Sequence, residues 1–225
     1  MHDDSFAGRS VLVFGAGGAL GAGVAGAFAA AGATVMGADK VAPPPSRQLD
    51  GVRYEAVDVL DDDAVGSLLD SGEPAWAVLN TIGGYAPARP LAILDPAELT
   101  SQFELNVVTA ALITKHALRV MQAAGEGRIV HTASRAAVVT AGNGFAYSVS
   151  KAGVLHLVSM AADEVRGTGI TVNCVVPSII DTPANRAAMP DANHAAWPKI
   201  DDIAASYLYL ALPASGLVNG AAVPV

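Results

Sequence analysis

Seven short runs rich in apolar and β-branched residues, SVLVFG, ATVMGAD, RYEAVDV, AWAVLNTIG, GRIVHTAS, ITVNCVVP and AAVPV, punctuate the sequence. Between them, over 20–31, 61–69, 96–123, 145–165 and 201–212, apolar residues recur at helical spacing. A strand that is apolar throughout, and not at every second residue, must be covered on both faces. Helices supply that cover when the crossovers between parallel strands are right-handed. The alternation therefore predicts an α/β chain with a single Rossmann-type, doubly wound fold: a parallel seven-stranded sheet with helices on both faces. With 225 residues, 52% of them hydrophobic, one domain over 1–225 is large enough to bury its own core.

Charge and cysteine usage narrow the function. Only 15% of residues are charged and the net charge is −8, so no basic footprint for nucleic acid or an anionic membrane is present, and a small-molecule substrate is expected. The uncharged segment 11–38 reaches the length of a membrane span, but its clustered glycines read as strand, turn and helix start. The acidic opening MHDDSFAGRS lacks the positive stretch of a secretory signal. A single cysteine, Cys174, excludes a disulfide framework, and a soluble cytoplasmic protein is expected. His2, His116, His131, His156 and His194 are scattered without ligand spacing, which argues against a metal site.

The first turn is FGAGGALGAG. Glycines between a strand and a helix let backbone N–H groups approach a pyrophosphate that a side chain would keep away. In so Ala/Gly-rich a segment close packing is the competing reading. Asp39 ends the second strand, where a carboxylate accepts from the adenosine ribose hydroxyls and repels a 2′-phosphate, so NAD(H) is favoured. The neighbouring cation of Lys40 softens that exclusion and keeps NADP(H) possible.

A second cluster lies in SRAAVVTAGNGFAYSVSK. Tyr147 and Lys151 are four residues apart and share a helix face. A nearby ammonium favours phenolate, which is expected to lower the tyrosine's pKa and make it a usable proton donor and acceptor. Ser134 stands at the C-terminal end of the fifth strand, where open parallel sheets place ligand chemistry, and its hydroxyl can bond a substrate oxygen whose charge changes. Taken singly, a Tyr-x-x-x-Lys spacing is also what an amphipathic surface pair looks like.

With Ser134, Tyr147 and Lys151 in this order and spacing, the sequence resembles the short-chain dehydrogenase/reductase family from Val11 to Val225. The resemblance implies catalytic roles for Asn106, Ser134, Tyr147 and Lys151, with Asn106 in ELNVVTA holding a water that links Lys151 to a proton relay. It places the cofactor against Gly15, Gly17, Gly18, Ala19, Leu20 and Gly21 in the first turn, Asp39, Asp58 and Val59 at the adenosine end, and Asn80 and Gly83 in NTIG. Tyr147, Lys151, Pro177, Ile179 and Thr182 would meet the nicotinamide side. It further implies a homodimer or homotetramer built on the long helices. The sequence departs from the family's Gly-x-x-x-Gly-x-Gly pattern: counting from Gly15 puts Ala19 in the middle position, whereas Gly17, Gly21 and Gly23 fit a register two residues later. Gly15 is preferred because it follows the strand directly. Family chains usually run on past the last strand, and this sequence stops at Val225.

The expected function is therefore NAD(P)(H)-dependent hydride exchange with a carbonyl or alcohol carbon, Tyr147 serving as acid and base. The features GALG, GGY and DTPANRAAMP resemble the dihydropteridine reductase branch, although Ser134 is not a mark of that branch. A nucleotide-binding regulatory protein without catalysis is the alternative from another class. Residues 178–199, with three prolines, form an expected substrate lid. Asn185, Arg186, Met189 and Trp197 in it either shape the pocket or pack, and Arg186 either meets a substrate carboxylate or pairs with Asp181 or Asp191.

Overall fold

The structure is a computed structural model and describes residues 5–85, 89–139 and 144–225. Of the Gly142–Asn143–Gly144 turn beside Tyr147, only Gly144 falls among them. The strands are β1 (Ser10–Phe14), β2 (Thr34–Asp39), β3 (Val52–Ala56), β4 (Ala77–Asn80), β5 (Glu126–Thr132), β6 (Gly169–Val176) and β7 (Ala222–Pro224). All neighbours pair in parallel, in the order β3-β2-β1-β4-β5-β6-β7. The chain winds outward one way from β1 and the other way from β4. The crevice at the strand ends between them is therefore the topological switch point.

The helices are α1 (Ala19–Ala30), α2 (Asp62–Asp70), α3 (Pro96–Phe103), α4 (Thr109–Ala124), α5 (Phe145–Glu164), α6 (Pro183–Ala188) and α7 (Ile200–Ala211). Their starts follow local chemistry. Asp61 and Asp95 accept from the backbone N–H of Ala64 and Ala97, capping α2 and α3, and Pro96 occupies the first turn of α3, where an N–H is not needed. Gly125 ends α4 at φ 79°.

Two cores cover the two sheet faces. Val65, Ile113, Met121 and Val158 of α2, α4 and α5 pack on one, and Val24, Phe28, Ile203 and Tyr207 of α1 and α7 on the other. Each such fully buried side chain contributes about 1.5–3 kcal/mol. The small residues of α1 let it lie close to α7, where a Cβ on Gly23 would overlap Ile200.

The expected helices are all present, with two differences. The stretch 96–123 is not one uninterrupted α-helix: residues Glu104–Val108 form a π turn between α3 and α4. The stretch 178–199 is not structureless either. Thr182 caps α6 by accepting from Asn185 N at 3.1 Å, with Pro183 in its first turn.

Candidate active site

At the end of β1, Gly15 turns with φ 85°, a conformation L side chains rarely adopt. A Cβ there would lie 2.7 Å from Thr81 Oγ1, and one on Gly21 would overlap the Gly15 carbonyl. Gly18 N donates to Gly15 O at 3.0 Å, and α1 starts at Ala19. The turn thus counts from Gly15, with Ala19 and Leu20 already helical.

Asp39 ends β2 beside this turn. Its Oδ2 accepts from Gly17 N at 2.9 Å and its Oδ1 from Lys40 N at 2.7 Å. Lys40 itself reaches Asp58 Oδ2 at 2.7 Å, and this bond, with that from Leu60 N, holds the Asp58 carboxyl below its ordinary range. Val59 is 5% exposed and packs in the core, so any contact it makes with a nucleotide falls to its backbone. A cavity of about 420 Å³ opens here, lined by Gly17, Gly18 and Asp39 and by the proline loop that carries Arg47. Arg47 was missed from sequence. It stands in a 3-10 turn started by Pro45 and donates to Gly17 O at 2.8 Å.

The other end of the crevice lies between β4, β5 and α5. Ser134 follows β5 and caps a 3-10 turn by accepting from Ala136 N at 3.2 Å, while Arg135 N donates to Pro177 O at 2.9 Å. Tyr147, in the first turn of α5, interacts with the Ser134 hydroxyl. The Tyr85 ring stands edge-on to it, centroids 5.3 Å apart. Burial raises the Tyr147 pKa, Ser134 lowers it, and Tyr85 adds to the rise. This corrects the expectation that Lys151 lowers it. Desolvation of the phenolate dominates, and the Lys151 ammonium is bonded to the Thr132 carbonyl at 3.0 Å. Lys151 is 3% exposed, and burial pushes its pKa down to about 8.

Asn106 sits in the π turn, a distortion that often marks a functional position. Its Nδ2 donates to Gln102 O, Gln102 Oε1 and Ser150 Oγ at 3.1, 3.3 and 3.1 Å. Its Oδ1 is buried and has no hydrogen-bond partner among the described residues. Gly83 lies against both groups: a Cβ on it would be 2.7 Å from Lys151 Nζ and 3.0 Å from Asn106 Oδ1. A buried acceptor facing a buried ammonium across a bare glycine is a polar site of the kind an ordered water occupies.

The remaining sequence-selected residues lie where β6 exits. Ile179 is 43% exposed, and Thr182 caps α6. Arg186 pairs with Asp181 through Nε–Oδ1 at 2.5 Å and Nη2–Oδ2 at 2.8 Å, which resolves its open assignment. The rings of His194 and Trp197 pack together 4.6 Å apart, and His194 Nε2 bonds Met189 O, so several residues of the stretch 178–199 are engaged with one another.

The cradle at Gly15 and Gly21, where any side chain would collide, fits a dinucleotide laid across the switch point. Comparison with known proteins points the same way. The family model described as Enoyl-(Acyl carrier protein) reductase matches residues 15–225. The chain is 35% identical to cis-4-hydroxycyclohexanecarboxylate dehydrogenase of Sinomonas cyclohexanicum, over 99% of this chain and 96% of that one. It is 30% identical to D-threitol dehydrogenase of Mycolicibacterium smegmatis, over 95% and 90%. A short-chain type dehydrogenase/reductase from Mycobacterium ulcerans superposes with a TM-score of 0.89 at 28% identity, covering 98% of this chain and 89% of that one. The chain belongs to the short-chain dehydrogenase/reductase family. It is an NAD(P)-dependent oxidoreductase acting on alcohol or carbonyl groups. Among the described residues no helix is long and apolar enough to cross a membrane.

Proposed function

We propose that the protein interconverts a small secondary alcohol and its ketone, with Tyr147 moving the proton at the substrate oxygen. Bound nicotinamide supplies or accepts the hydride. The reading is carried by one observation: Tyr147, paired with Ser134, shares the crevice with the buried ammonium of Lys151 and the unpartnered Asn106 oxygen. A phenol kept protonated by burial donates to a carbonyl oxygen as that oxygen gains charge. The Ser134 hydroxyl orients that oxygen. Lys151, its pKa pushed down to about 8, resupplies the proton through the polar site that Asn106 and Gly83 frame, and its ammonium also meets the nicotinamide ribose. A ring alcohol is the substrate class supported by the named relative that acts on a hydroxycyclohexanecarboxylate, and by the exposed Tyr85 ring and Ile179 beside the crevice.

NAD(H) is the favoured cofactor because Asp39 aims a carboxylate at the adenosine end. The cofactor contacts are those named from sequence, with Arg47 added. Residues 1–225 form one catalytic domain with 178–199 as its lid. The protein acts in the cytoplasm as a homodimer or homotetramer, for which the exposed Val108, at the end of the π turn before α4, and Met160 on α5 supply apolar surface.

The test is oxidation of cyclic secondary alcohols with NAD⁺ and reduction of the matching ketones with NADH, followed by nicotinamide absorbance. Turnover that collapses in Ser134→Ala supports the reading. NADH binding without turnover of any alcohol or ketone moves the protein to the silent nucleotide-binding class.

A further inference from the structure

His131 touches no reacting atom, yet it is 0% exposed in mid-sheet, with Asn80 of β4 and Cys174 of β6 as its neighbours in register. An imidazole there loses its hydration and must pair both nitrogens within the protein. Both are paired, and the partners fix the direction of each bond. Thr114 Oγ1 donates its one proton to Ala110 O at 2.7 Å, so towards His131 Nε2, 2.9 Å away, it accepts. Nε2 therefore carries the hydrogen. Asn80 Nδ2, 3.2 Å from Nδ1, is a donor, so Nδ1 is bare. Asn80 Oδ1 accepts from Ile82 N at 3.0 Å, which settles which end of the amide faces the ring. One neutral tautomer satisfies every bond, and burial, with Lys151 nearby, pushes the pKa of His131 down to about 4.

This bond chain ends where the active site closes. Asn80 begins the segment 80–83, whose Gly83 lies against Lys151 Nζ and Asn106 Oδ1. The next residue of β5, Thr132, donates to Asn80 O at 2.7 Å, and its own carbonyl receives the Lys151 ammonium. We propose that His131 is a positioning residue: by accepting from Asn80 it sets the path of residues 80–83, and with it the placement of Lys151 and Asn106 around Gly83. The proposal rests on the oxidoreductase reading above.

Side-chain shape separates positioning from packing. In His131→Asn, an amide oxygen can take the place of Nδ1 and keep the bond from Asn80, at the cost of a gap near Thr114. In His131→Leu the volume is better kept and the acceptor is gone. With concentrations set by NADH-fluorescence titration, kcat of His131→Asn is expected within about threefold of the parent, while His131→Leu falls between about tenfold and a hundredfold, with KM for the nucleotide moving less. Asn80→Ala, which also removes the acceptor of Ile82 N, should lose at least as much, and adding His131→Leu to it should cost less than about twofold more, because His131 acts through its bond from Asn80. If His131→Leu does not fold, His131→Gln, which reaches Thr114 but offers Asn80 nothing at Nδ1, takes its place with the same expectation. The proposal is overturned if the variant lacking the acceptor keeps kcat as well as His131→Asn does, or if its loss multiplies with that of Asn80→Ala. A parent protein that binds NADH and turns nothing over would instead refute the oxidoreductase reading.

Discussion

Lys151 Nζ donates to the backbone carbonyl of Thr132 at 3.0 Å, so the ammonium of α5 is tied to the last residue of β5. One donor is thereby spent on the scaffold, leaving two for the crevice. The arrangement keeps a cation where almost no water can reach it, and its depressed pKa is the measure of that cost.

The cost has a definite sign with pH. Lys151 titrates at about 8 in the folded protein against 10.5 unperturbed, so between these values the unfolded chain binds the extra proton and stability rises with pH. Below about 8 the charged lysine destabilises the fold by about 3 kcal/mol. Lys151→Met should therefore be more stable than the parent at pH 7, the gap closing towards pH 10.5, while its turnover is lost. Denaturant unfolding at several pH values checks this.

His131 titrates at about 4, depressed from 6.5, so the unfolded chain gains a proton first as pH falls. Its contribution to stability is present above 6.5 and is lost as pH drops towards 4. Comparing the acid unfolding of the parent with that of His131→Asn isolates this share, which the variant should lack.

Gly83→Ala places a methyl 2.7 Å from Lys151 Nζ and 3.0 Å from Asn106 Oδ1. Moving either group costs about 1–3 kcal/mol of stability, and displacing both disrupts the polar gap between them. The expected outcome is a kcat loss of about tenfold or more with a modest fall in Tm, read by kinetics and thermal unfolding.

At the adenosine end, Asp39 and Arg47 both contact Gly17. Asp39→Ala should shift preference towards NADPH by about tenfold, the scale of one charge-assisted contact. Removing Arg47 as well should return most of that gain, because among the described residues Arg47 is the cation that lines the cavity. Fluorescence titration of the parent and both variants with NADH and NADPH gives the six affinities.

Legibility in the sequence followed physical range. Strand and helix positions were readable because burial writes apolar runs and periodic faces into neighbouring residues, as in Val11 to Phe14 and Asp62 to Asp70. Ser134, Tyr147 and Lys151 were readable because one strand end and one helix turn bring them together. Arg47 was not, since a cation in a proline loop looks like solvated surface until Gly17 is seen beneath it. The π turn at Asn106 has no local sign, and neither does the bonding of His131, because its partners Asn80 and Thr114 come from other elements. The raised Tyr147 pKa likewise depends on burial, which spacing along a helix does not record.

The central claim, that Tyr147 carries the proton for hydride exchange, is tested most directly by Tyr147→Phe, measured side by side for NADH affinity, thermal stability and kcat. The account predicts NADH binding and Tm close to the parent, with kcat reduced about 10²- to 10⁴-fold, the range for a lost general acid. Turnover at the parent's rate in that variant would contradict it.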